Sequence, residues 1–200
     1  MFYIEYSHKS IPRADNCIEF IYAAITGDVE TIGRMIDNGM QPDTQGPKGW
    51  TALRMAAVKN RYDVALELLR RGACVDAINY KGETALMMIS HYDHYEIASL
   101  LLFFGADPNL ENCFGYTALM IATSYGNKRI VGAFLDSWQL SDINKTNICG
   151  ESALHLAIEF GHDNIAKMLV AAGAKHSATV FPRVHKNGNL NCDCLIGGVA

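Results

Sequence analysis

The chain has 200 residues, half of them hydrophobic and 19% charged, with 21 acidic against 17 basic side chains and a net charge of −4. That much apolar material supports a packed core and excludes wholesale disorder, and the acidic balance argues against a nucleic-acid binder working through bulk electrostatics. The longest uncharged apolar run, Ala98 to Ala106, is too short for a bilayer, which takes about 20 residues.

The chain opens MFYIEYSHKS, with no basic leader, so no secretory signal is expected. Phe2, Tyr3, Ile4 and Tyr6 are too apolar to be left in water, and residues 1–15 are expected to form a small N-terminal cap. From Asn16, two stripes at helical spacing follow: Phe20, Ala23, Ala24 and then Ile32, Met35, Ile36. Four self-similar segments come next, starting at Gly49, Gly82, Gly115 and Gly150 in steps of 33, 33 and 35. Each repeats the two stripes. Leu53, Ala56, Ala57 pair with Ala65, Leu68, Leu69; Leu86, Ile89, Ser90 with Ala98, Leu101, Leu102. Leu119, Ala122, Thr123 pair with Val131, Phe134, Leu135, and Leu154, Ala157, Ile158 with Ala166, Leu169, Val170.

The punctuation predicts the helix ends. Thr51, Thr84, Thr117 and Ser152 stand where a hydroxyl can cap the first helix of each unit. Gly27, Asn60, Asp93, Gly126 and Gly161 lie between paired helices, and Gly39, Gly72, Gly105 and Gly173 end the second helices. These residue types tolerate a left-handed backbone. Trp138 holds that place in the fourth unit, which predicts an irregular junction. We read five units, 16–48 (degenerate and capping), 49–81, 82–114, 115–149 (with two extra residues) and 150–176; four units plus a helical cap fits as well. An irregular tail, 177–200, is expected to dock at Val180 and Phe181.

The Thr-Ala-Leu starts, His155 and the run Gly105–Asn109 resemble the ankyrin repeat family, over about Asn16 to His176. The resemblance implies an all-α solenoid of stacked helix–turn–helix units joined by β-hairpin-like loops. It also implies a non-enzymatic protein-binding scaffold whose contact surface is concave. At His155 it implies a structural imidazole that bridges the turn. Carried over, the concave positions include Trp50, Tyr80, Lys81, Tyr92, Phe114, Tyr116, Tyr125 and Phe160. None of the aromatics among them belongs to the core stripes, and exposed aromatics of this kind mark binding surfaces. The expected role is that of an inhibitor or adaptor, monomeric and cytoplasmic or otherwise intracellular, taking a protein partner and no cofactor. A microbial effector acting in a host cytosol would bind in the same way.

Chemistry elsewhere is sparse. No phosphate-cradling glycine motif and no Gly-x-Ser-x-Gly elbow occurs, so no enzyme is expected. His91 and His94 lack further ligands and read as a solvated turn between helices. Cys192 and Cys194 with His185 offer three of the four ligands zinc wants, which leaves a metal-binding or redox tail as the alternative of another class. The six cysteines are expected to be free thiols. A basic unit, 49–81, lies between two acidic ones, which would favour a partner of alternating charge if those side chains faced the groove.

Overall fold

A computed structural model of the chain describes residues 14–46, 49–137, 140 and 142–175. The expected cap at 1–13, Trp138 and the tail from residue 176 lie outside the described residues. Among the described residues ten α-helices follow one another: α1 (Ala14–Thr26), α2 (Val29–Asp37), α3 (Ala52–Val58), α4 (Tyr62–Arg70), α5 (Ala85–Ile89), α6 (Tyr95–Phe103), α7 (Ala118–Ser124), α8 (Lys128–Leu135), α9 (Ala153–Glu159) and α10 (Asp163–Ala171). No helix among the described residues is long and apolar enough to cross a membrane.

Two to five residues link the helices within each pair, too few for anything but a reversal of direction. Odd-numbered helices pack on odd, and even on even, from one pair to the next. The result is two rows of helices, with extended loops connecting successive pairs. Isolated antiparallel bridges, Gln45 to Thr51 and Thr146 to Ser152, close the loops before α3 and α9. The fold is all-α, as the two stripes per unit require.

No pair could bury both stripes alone; the stack does so with one continuous core running from Phe20 to Leu169. The predicted stripes fill it through α7, and the burial fades at the last pair, where Ile158 and Val170 are exposed. Nothing among the described residues stacks beyond them.

The predicted hydroxyl caps are all present. Thr51, Thr84, Thr117 and Ser152 accept from the N–H of Arg54, Met87, Met120 and His155 at 3.2–3.3 Å. Asn60 takes a positive φ of 54° between α3 and α4, as expected of it. Asp93 does not. Helix α5 stops at Ile89, the Ser90 hydroxyl bonds the Leu86 carbonyl at 2.8 Å, and turn residues 90–93 replace the left-handed one.

Candidate functional site

The loops before α5, α7 and α9 share one device. Asn79, Asn112 and Asn147 each fold their side-chain oxygen back onto two main-chain N–H groups, two and four residues on, at 2.9–3.0 Å. A glycine with φ of 72–77° follows in each loop, at Gly82, Gly115 and Gly150. Tips bind one another through the main chain: Cys113 N–H donates to the Lys81 carbonyl at 2.9 Å, and Ile148 N–H to the Phe114 carbonyl at 3.2 Å. The tips therefore form one continuous edge.

A second ladder joins the helix pairs. The residue before each second helix sends a side-chain N–H back to a carbonyl near the end of the preceding unit's first helix. Arg61 reaches Ile25 at 2.9 Å and Asn127 reaches Ser90 at 2.8 Å. The Nε2 atoms of His94 and His162 reach the carbonyls of Val58 and Ser124 at 3.2 and 3.1 Å. A carbonyl only accepts, so Nε2 carries the proton in both rings. His162 gets that close because residue 126 is glycine; a Cβ there would lie 2.7 Å from the ring.

This ladder positions the aromatics two residues before it. Tyr92, Tyr125 and Phe160 occupy one register, each just past the end of the first helix in successive units. Tyr92 stacks on His94 with ring centres 5.4 Å apart, and Phe160 on His162 at 6.5 Å. His91 meets the Tyr125 ring edge-on at 4.6 Å. Burial holds the His91 pKa below its ordinary value, with the Glu83 carboxylate opposing, and pushes the Tyr125 hydroxyl up. Tyr80 is 80% exposed at its tip, and Lys81, Tyr125 and Phe160 are exposed.

A family model described as ankyrin repeats (3 copies) matches residues 20–112 and 86–180. The chain belongs to the ankyrin repeat family. Ankyrin repeats are generally protein–protein interaction modules and typically non-enzymatic. No individual curated protein matches the sequence.

Several expected positions on the ankyrin face are altered by their surroundings. Tyr116, read as an exposed aromatic, is only 6% exposed. The next loop comes close at neighbouring Gly115, where a Cβ would sit 3.0 Å from Asn147 Cα. Trp50, Tyr92 and Phe114 are half-buried. Trp50 has the Arg54 guanidinium over its ring at 5.4 Å, a cation–π contact that occupies one face.

Some of the charges pair between neighbouring units. Arg71 pairs with Asp37 of the preceding unit, Arg129 with Asp93 and Glu96, and Lys145 with Glu111. Arg54 is fully buried. His91 and His94 are no solvated turn, because the ring contacts and the Val58 bond hold both half-buried. No group of three or more metal-type ligands occurs among the described residues; His185, Cys192 and Cys194 lie outside them. Cys17, Cys74 and Cys113 are free thiols. Cys149, at a half-buried loop tip, is disulfide-bonded, so the expectation of free thiols fails there.

Two features escaped the sequence reading. One is Arg54, which stands at the position His155 holds in its own unit. The other is Phe103, 84% exposed at the end of α6 and in edge contact with Phe104 at 5.6 Å. Its signal was the apolar run Ala98–Ala106, which continues into a turn where α4 carries Arg70.

Proposed function

We propose that this ankyrin array is a monomeric, non-enzymatic binding module that holds one protein partner against the face formed by the loop tips and the ends of the first helices. The reading takes the chain as five units with the boundaries given above. Its anchors are Tyr80, Tyr125 and Phe160, with Lys81 at the rim and Trp50, Tyr92 and Phe114 as half-buried support. The observation that carries it is the single-register row Tyr92–Tyr125–Phe160, fixed in place by inter-unit hydrogen bonds. Rigid aromatics supply large contact area at small entropic cost, and few other residue types do so. The partner is selected more by shape and aromatic contact than by alternating charge.

Such a face acts by occupancy: it masks the partner's own working surface or carries the partner elsewhere. Affinity capture from cell lysate tests the reading, with the wild-type chain beside a Tyr80→Ala, Tyr125→Ala, Phe160→Ala variant. All three side chains are exposed, so circular dichroism should show an unchanged helical signal. A protein retained by the wild type and lost from the folded variant supports the face; full retention by the variant removes it.

A further inference from the structure

The first helix pair has an uncovered side. In every later unit the corresponding side packs on the unit before it. Helix α1 runs thirteen residues, against five to seven for α3, α5, α7 and α9, and its extra length is at the N-terminal end. Along its outward side Ile18 and Tyr22, one turn apart, are exposed, Tyr22 at 64%. Beside them an open groove runs between α1 and the end of α2, lined by Asn16, Glu19, Arg34, Met35, Asn38 and Met40. End units of a stacked array need polar outer faces, and this one presents an isoleucine, a tyrosine and a methionine.

The chain itself supplies a cover. Thirteen residues precede Ala14, and they join α1 two positions from Asn16, at the mouth of the groove. Five of them are Phe2, Tyr3, Ile4, Tyr6 and Ile11, with Glu5, Lys9 and Arg13 among the charged ones. Extended, thirteen residues reach up to about 43 Å, whereas α1 is about 20 Å long. The segment can therefore return along the whole helix. Glu19 and Arg34 at the groove also give partners of either sign to the segment's charges.

We propose that residues 1–13 fold back over the outward side of α1 and α2, seat their aromatic and isoleucine side chains on Ile18, Tyr22 and Met35, and so cap the array from within. The capped surface lies at the end of the stack, away from the row Tyr92–Tyr125–Phe160, and the inference is independent of partner binding there.

Hydrogen exchange on the full chain tests it, with wild type compared against Ile18→Asp, Tyr22→Asp. Both side chains are exposed, so α1 should stay folded, and protection within 20–26 serves as the control. Amides in residues 2–11 should exchange about tenfold or more slower than unprotected peptide in the wild type, and at the unprotected rate in the variant. A second variant, Ile4→Ser, Tyr6→Ser, approaches the contact from the segment side and should lose the same protection. Unprotected amides in the wild type overturn the proposal. Protection that appears only as protein concentration rises, with the mass doubling in solution, also overturns it and assigns the surface to a second copy.

Discussion

Arg54 Nη2 donates to the Glu83 carbonyl at 3.0 Å, so a fully buried side chain of α3 fastens the loop that leads into α5. The same guanidinium reaches the carbonyls of Gly49 at 3.1 Å and Ala77 at 3.2 Å. One planar fork thus ties its own loop to the next unit. Burial pulls the Arg54 pKa below its usual value, with the Glu83 charge opposing; the group still stays protonated throughout the working pH range.

Removing this fork should weaken the second junction of the stack. Arg54→Met fills much of the space but leaves the Gly49 and Ala77 carbonyls without that donor, and Glu83 with only the Asn79 N–H, at a cost of about 3 kcal/mol. Arg54→Lys keeps the charge, loses the fork and should fall between the two. Urea denaturation reads both as a lowered midpoint.

Asn79 and Asn112 should both be weakened by the same substitution, for different reasons. The Nδ2 of Asn79 donates to Glu83 at 2.7 Å, and that of Asn147 to Glu151 at 2.8 Å. At Asn112 the corresponding neighbour is Tyr116, and the buried Nδ2 has no acceptor. Asn79→Asp loses a bond and sets two carboxylates together, costing about 2 kcal/mol. Asn112→Asp keeps both main-chain bonds and loses none, but it puts a charged oxygen without a donor where the buried Nδ2 was, so it too should cost about 1–3 kcal/mol by thermal melt at pH 7.

Gly115 and Gly150 share a positive φ, 74° and 77°, and differ in what surrounds them. A Cβ at Gly115 meets Asn147 Cα and Ile148 N at 3.0 Å; one at Gly150 meets nothing within 4 Å. Gly150→Ala should cost about 1 kcal/mol in backbone strain alone. Gly115→Ala should cost about 2–3 kcal/mol, because the next loop must also move. Equal midpoints in denaturant would contradict this.

His91 makes the fold sensitive to mild acid. Its pKa is lowered in the folded chain, by burial above all, from the ordinary 6.5. The unfolded chain therefore takes up the proton first. The stabilisation is complete above about pH 6.5 and is lost as pH falls through the lower folded value. Asp28 accepts from the Thr31 N–H, while Glu96 accepts from its own N–H and from Arg129; both are lowered from 3.8 and 4.5, so their contributions are lost only further down. His91→Gln should flatten the melting temperature between pH 6.5 and 5 and leave the lower limb unchanged.

Helix-level features were legible in the sequence where a single residue type decides the geometry. Thr51, Thr84, Thr117 and Ser152 cap as expected, since a hydroxyl ahead of an apolar stripe has one local task. Asp93 misled, because its conformation depends on where α5 stops, and α5 stops already at Ile89. The face was legible in part. Tyr125 and Phe160 follow the ends of their helices and must emerge. Tyr116 stands just ahead of the Thr117 cap, and its burial comes from packing within the stack that its own stretch of sequence does not show. The ladder of Arg61, His94, Asn127 and His162 was present at the repeat spacing. Its meaning required knowing that each side chain points back to the preceding unit.

The central claim is that the aromatic row, and not the outer side of the stack, binds the partner. Titration calorimetry of the captured partner against three single variants tests it most directly. Tyr125→Ala and Phe160→Ala should each weaken binding about tenfold or more, as expected of anchor residues. Phe103→Ala, more exposed than either and on a second helix, should leave the affinity unchanged. Loss of binding with Phe103→Ala and full affinity in the other two would contradict the account and move the site to the end of α6.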